Sequence, residues 1–390
     1  MNGNFGVEKS IGNKSHIKPL LIAKFATPPY AGCESHVDVL ASSLAPDIHP
    51  TVLAADISNR KIEYKKNYNL ITVPSYGKIA SAFLSPGVYF YGLSLLRKGD
   101  CNLLHLHSPN PWGDFLALSK LDVPVVITWH SDIVSQKHLY YIYKYFQKKV
   151  IDRSQMILVT TPFFLNSSIQ LACDTLRRKI EYCPLGIDFN KLDKAELNLD
   201  LIENISQFAK GRPTALAVGR HVPYKGYEGL LHALELCKSK TCLVMVGNGP
   251  LTPVYKKIVF AKNLEDRVLF LQNVDEILIA TAFKSCDFFI MPSILPSEAF
   301  GIASAEAMAC GKPTIVCNLN NGVNYLNKDG ITSIVVEPND ILGLANAIDR
   351  LSNDGNLRKE LGRNAYSWVR SEFSIEKMRE KIISVYSRVF

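Results

Sequence analysis

Two glutamates, Glu298 and Glu306, and two cations, Arg220 and Lys225, are the residues of this chain whose type and spacing best suit chemistry. The stretch PSILPSEAFGIASAEAMACGKPTIV, residues 292–316, reads as a strand end, a loop containing Pro and Ser, and a helix. That helix opens near Phe300 or Gly301 and is ended by Gly311 and Pro313. Its first amides, from Phe300 through Gly301 and Ile302 to Ala303, lack partners within the helix, and with the helix dipole they form a seat for a phosphate. Glu298 stands just before the seat, and Glu306 lies inside the helix, some 7–8 Å further along at about 1.5 Å per residue. One carboxylate can then address a group on one side of a bound diphosphate while the other accepts hydroxyl hydrogen bonds on the opposite side. A ribose on one flank and a hexose on the other would satisfy that arrangement. In VGRHVPYKGYEGLLHAL, residues 218–234, Arg220 and Lys225 project from a loop ahead of another helix. Two cations there can neutralise a diphosphate as it leaves a sugar, where negative charge grows most. Taken singly, the glutamates also suit a solvated helix face, and the cations suit ordinary surface charge.

These loops must hang from strands, and short apolar runs fit for buried parallel strands recur along the chain. In the first half they are 19–25, 51–56, 69–74, 102–108, 124–130, 156–161 and 179–184; in the second, 214–219, 242–247, 267–272, 287–293, 313–317 and 333–338. Helix-length segments lie between many of them, which predicts βαβ units and an α/β fold of two Rossmann-like, doubly wound domains. Ligands of such sheets sit beyond the carboxyl ends of the strands, so two facing domains would share one cleft. We expect a loose tail over 1–18, a first domain over 19–189 and a second over 190–370, the boundary falling in the polar passage Asp188 to Arg212. The last stretch, 371–390, carries Ile375, Met378, Ile382, Ile383, Val385 and Tyr386 on a basic helix and is expected to pack back on the first domain.

The setting of the two glutamates resembles the family-4 group of retaining glycosyltransferases with the GT-B fold, whose signature is E-x7-E within S-E-x-F-G…E-A-M-A-x-G-x-P. Glu298 and Glu306 keep the spacing, and Phe300, Gly301, Ala307, Met308, Ala309, Gly311 and Pro313 keep the setting. The resemblance implies that Arg220 and Lys225 take the donor-diphosphate positions of the family's G-R…K-G motif. It further implies that His130, in W-H-S-D, lies near the transferred sugar, with Asp132 a weaker candidate; without it, a histidine at a strand end reads as structural. Gly32, and less surely Ala31, stand where relatives often carry two glycines near the donor phosphate. The GNGP loop from Gly247 stands where the family approaches the nucleoside, whose base would meet backbone near Asn273 and Val274. His105 and His107 read as a structural pair, although His107 could edge the cleft. No D-x-D triplet occurs, so no metal is expected.

The chain has 390 residues, 47% hydrophobic and 21% charged, which excludes a disordered or fibrous protein and points to more than one domain. Its nine cysteines form no CxxC pair and read as reduced thiols of a cytoplasmic protein. The formal charge of +8 fits an anionic partner without choosing one. KHLYYIYKYFQKKVIDR, residues 137–153, places Leu139, Ile142, Tyr143, Phe146 and Val150 on one helical stripe, with Lys144, Lys148 and Lys149 mostly elsewhere. It fits an anionic membrane surface or a core-facing helix with solvated lysines. The amphipathic stretch 76–98 leans toward the membrane, with attachment peripheral and on the inner face. The expectation is thus a metal-independent, retaining transfer of a hexose, mannose being the first trial, from a GDP- or UDP-linked donor. The acceptor would be a lipid-linked glycan in bacterial-type surface polysaccharide (O-antigen, capsule or lipopolysaccharide) assembly, with no nucleic acid as partner. A GT-B enzyme of another chemistry, an epimerase or phosphorylase, and a non-catalytic polyanion binder are the alternatives.

Overall fold

The computed structural model describes residues 16–26, 32–57, 60–79, 82–133, 137–163, 168, 170–171 and 174–390. Most of the expected tail and Ala31 lie outside them. The chain divides into two compact units: residues 1–159, 178–183 and 378–390 form the first, and 160–177 with 184–377 form the second. The chain therefore changes unit at 160, 178, 184 and 378, whereas the polar passage expected to hold the boundary folds into the second unit. There Leu201, Ile205 and Ala209, spaced four apart, bury one face of a helix capped by Asn198, whose Oδ1 accepts from the Leu201 amide at 2.7 Å.

The first unit holds β1 (Pro19–Phe25), β2 (Thr51–Asp56), β3 (Lys61–Tyr64), β4 (Asn69–Pro74), β5 (Lys78–Ile79), β6 (Ala82–Phe83), β7 (Leu103–Ser108), β8 (Val125–Trp129), β9 (Met156–Val159) and β10 (Ile180–Tyr182). Its helices are α1 (Gly32–Ser43), α2 (Pro86–Arg97), α3 (Pro111–Ala117) and α4 (Lys137–Arg153). Eight strands form one sheet in the order β10-β9-β8-β7-β1-β2-β4-β3, parallel except at the edge, where β3 runs antiparallel to β4. β3, of sequence KIEY, was invisible in the apolar pattern because it is a largely exposed edge, and the β5–β6 hairpin is too short to show any period. The last helix of the chain, Ile375–Val389, buries Met378, Ile382, Ile383, Val385 and Tyr386 in the first unit's core with Leu21, Leu40 and Val126. Arg388 grips Glu181 with two bonds of 2.6 and 2.8 Å, and Lys381 adds a third at 2.6 Å. The Arg388 hydrogen bond, ahead of Lys381, holds the Glu181 carboxyl down at about 2.

The second unit holds β11 (Thr214–Val218), β12 (Cys242–Val246), β13 (Val268–Leu271), β14 (Phe288–Met291), β15 (Thr314–Cys317) and β16 (Ser333–Val336). Its helices run α5 (Phe189–Asp193), α6 (Leu199–Ala209), α7 (Tyr227–Leu236), α8 (Thr252–Ala261), α9 (Glu276–Ser285), α10 (Ile302–Ala309), α11 (Gly322–Leu326), α12 (Ile341–Asn353) and α13 (Gly355–Glu372). The helix at 375–389 is α14. The sheet is wholly parallel in the order β13-β12-β11-β14-β15-β16. Burial on both faces is why these strands read as continuous apolar runs. Strand order reverses between β11 and β14, and the loops after those two strands flank the point where a doubly wound sheet offers its crevice.

Candidate functional site

The loop after β11 and the loop after β14 are laced together. The Ile294 amide donates to the Tyr224 carbonyl at 2.8 Å. Gly226, at φ 68°, closes the first loop and opens α7; a Cβ there would stand 2.1 Å from the Pro292 carbonyl oxygen. Glycine is what lets the two loops touch. That contact delivers Lys225 to Glu298: Nζ donates to Oε2 at 2.5 Å, and the Ser293 hydroxyl donates to the same oxygen at 3.1 Å. Both charged side chains are only 12% exposed. Asn321 fastens the loop from behind, its amide donating to the Glu298 carbonyl at 2.7 Å. Arg220 is exposed and makes no ion pair among the described residues, so its charge faces solvent.

α10 begins as expected. Gly301 is its N-cap at φ 82°, with no side-chain cap, which leaves the first amides of the helix without a side-chain partner. The Phe300 side chain is buried and packs edge-on against Phe373 at 5.2 Å, which seats the loop. Glu306 is half-buried just over one turn in, and its carboxyl is pushed up to about 7, first by burial and then by the charge of Glu276. The loop from Gly247 leans on the Arg220 loop: the His221 amide donates to the Asn248 carbonyl at 3.0 Å, and Gly249 lies against the His221 backbone. Val274 packs its side chain against the core just ahead of the α9 cap Asp275, leaving backbone at that position for other contacts.

Gly32 and His130 belong to the first unit, where Gly32 opens α1 and His130 directly follows β8. His130 is buried, and its Nε2 lies 3.0 Å from His107 Nδ1. Burial holds both imidazoles well below their ordinary range, hence neutral. Asp132 accepts from the Trp129 indole at 2.9 Å, a structural bond. Sequence reasoning missed Ser293, which reaches Glu298 from five residues away in the same loop, Asn321, which reaches it from a later loop, and His36, which burial brings beside His107 and His130.

On α4 the inward face is Tyr143, Gln147, Val150 and Ile151, whereas Phe146, expected on one stripe with Tyr143 and Val150, is 36% exposed. On that inward face the Tyr143 hydroxyl bonds the buried Asp114 of α3. The side chains of Leu139 and Ile142 lie outside the described residues. The outward face mixes Tyr141, Tyr145 and Phe146 with lysines, Lys144 lying 4.0 Å over the Tyr141 ring and Lys149 4.4 Å over Tyr145. Among the described residues no helix is long and apolar enough to cross a membrane.

Residues 200–368 match the family described as Glycosyl transferases group 1, and residues 30–191 match Glycosyltransferase Family 4. The chain is 29% identical over 301 residues to the O-antigen chain mannosyltransferase C of Escherichia coli, a match covering 74% of this chain and 76% of that protein. It is also 29% identical over 329 residues to a phosphatidyl-myo-inositol mannosyltransferase of Mycobacterium leprae, covering 82% of each. Among solved structures, HepE of Anabaena in complex with UDP has the same fold, with a TM-score of 0.76 at 18% identity over 95% of this chain and 100% of that one.

Proposed function

We propose, for a chain that belongs to the family-4, group-1 glycosyltransferases of the GT-B fold and is a hexosyltransferase, a retaining and metal-independent transfer from a GDP- or UDP-linked hexose to a hydroxyl of a lipid-linked glycan. The observation that carries this reading is the nearly buried Lys225–Glu298 pair beside the uncapped start of α10, with the free charge of Arg220 on the adjoining loop. In this reading Arg220, Lys225 and the amides of Gly301, Ile302 and Ala303 hold the donor diphosphate, and Glu306 accepts from the ribose hydroxyls. Glu298 orients both Lys225 and the hexose, and His130, which carries no charge to repel, donates or accepts at a sugar hydroxyl. The bond from the anomeric carbon to the phosphate oxygen breaks toward the phosphate. The incoming hydroxyl forms the new bond on the same face and gives its proton to that departing oxygen, while the two cations hold the growing charge. Gly32, Gly247 and Val274 offer backbone to phosphate and nucleoside.

Mannose as the sugar and surface-polysaccharide assembly as the setting draw support from the O-antigen mannosyltransferase relative, and a lipid-linked acceptor from the phosphatidyl-inositol mannosyltransferase. The Tyr and Lys face of α4 supports peripheral attachment to an anionic leaflet, since interfacial aromatics and lysines favour that boundary. The test is a product assay pairing GDP-mannose, UDP-glucose and other nucleotide hexoses with lipid-linked acceptors in EDTA. Acceptor-dependent glycoside formation with retained anomeric configuration is expected. Nucleotide-sugar turnover with no glycoside in any pairing, or a strict metal requirement, would reject the proposal.

A further inference from the structure

Three imidazoles converge in the first unit. His36 lies in the first turns of α1, His107 near the carboxyl end of β7, and His130 just past β8. Each is more than nine-tenths buried. Their ring centroids stand 5.2 to 5.7 Å apart, and one ring nitrogen from each lies within 4.8 Å of the others. Within the cluster the hydrogen bonding is incomplete: His107 Nδ1 meets His130 Nε2 at 3.0 Å, but His36 Nδ1 and His107 Nε2 have no partner among the described residues. A buried polar nitrogen left unpaired costs roughly 1–3 kcal/mol, so two in one cluster call for a ligand. His105 on the same strand shows the contrast, with both nitrogens engaged, by Tyr386 at 2.6 Å and Thr128 at 2.8 Å.

We propose that His36, His107 and His130 form a transition-metal site that takes Zn2+ or Co2+. Three imidazoles without a carboxylate or thiolate select a borderline ion over Mg2+ or Ca2+. Zinc bonds of about 2.0–2.1 Å in tetrahedral geometry put ligand nitrogens about 3.3 Å apart, so no pair has more than about 1.5 Å to close. Three protein ligands leave a coordination position for water or a ligand, as in catalytic zinc sites. The metal-independent transfer proposed above has no use for this ion. Because it would engage His130, it would inhibit rather than assist, and this consequence alone rests on the sugar-site role of His130.

The full chain, stripped with chelator, is titrated with Co2+ and then with Zn2+. One Co2+ per chain with the visible absorption of a four-coordinate ion, displaced by Zn2+, is expected. His36→Gln should weaken binding by more than the roughly 10–100-fold that losing an outer-shell partner costs. His49→Gln, at an exposed histidine, should leave binding unchanged. Absence of those bands in the wild type, or equal binding by His36→Gln, overturns the site. X-ray absorption of the zinc-loaded wild type counts its histidine ligands whether or not the variant folds, and fewer than three overturns it as well. Zinc binding without inhibition would leave the metal site standing and count against His130 in the sugar pocket.

Discussion

Replacing Lys225 by Met separates the two tasks assigned to this lysine. The Lys225–Glu298 pair is 2.5 Å long with both side chains 12% exposed, so deleting the cation strands a carboxylate that keeps only the Ser293 hydroxyl. Breaking a fully buried pair costs about 3–5 kcal/mol, and residual water access at this loop lowers that to about 2–3 kcal/mol. Adding Glu298→Gln removes the stranded charge and should restore most of the loss. Donor binding behaves differently: a charge-assisted bond to phosphate is worth about 1.5–3 kcal/mol, which is roughly 10- to 150-fold in Kd. Urea unfolding and calorimetric titration with UDP and GDP read the two quantities in both variants. The account expects the double variant to recover stability but not nucleotide affinity. Recovery of affinity together with stability would show that Lys225 serves only Glu298, and would refute its role on the diphosphate.

Raising the Glu306 carboxyl to about 7 means that the folded chain holds its proton longer than the unfolded one. Its contribution to stability therefore falls as pH rises from about 4.5 toward 7, while nucleotide affinity climbs over the upper part of that range as the carboxylate forms; Glu306→Gln should flatten both profiles in calorimetric titrations and urea melts across pH. Glu181 has the opposite sign: its carboxyl is lowered from 4.5 to about 2, so its stabilisation is complete above 4.5 and lost as pH falls toward 2. Glu181→Gln should remove that acid-side slope in urea melts. Replacing Lys144, Lys148 and Lys149 together by Glu should cut sedimentation with phosphatidylserine vesicles by at least tenfold at low salt, at about 1 kcal/mol per lysine, with an unchanged circular dichroism spectrum; unaltered binding would remove α4 from the membrane reading.

Buried parallel strands were the most legible part of this fold, because burial on both faces writes them as unbroken apolar runs such as TALAV and CLVMV. The edge strand KIEY and the helix 199–209 are not legible in the sequence, the first because exposure removes the pattern, the second because three apolar residues spaced four apart hide among acidic and amide neighbours. In the site, the positions of Glu298, Lys225 and the opening of α10 were legible because they follow from loops at strand ends. Asn321 and the convergence of His36 on His107 depend on loops and helices distant in sequence, which no local spacing records, whereas Ser293 lies in the Glu298 loop itself and is one hydroxyl among several there. On α4 the apolar stripe is split, Tyr143 bonding buried Asp114 while Phe146 is 36% exposed, a division that helical spacing alone does not record.

The most direct test of the central claim is a crystal structure of the chain with GDP or UDP bound. The account places the β-phosphate within hydrogen-bonding distance of Lys225 Nζ, the Arg220 guanidinium and the amides at the start of α10. A diphosphate held elsewhere, with Lys225 still closed on Glu298 and the helix start untouched, would contradict it.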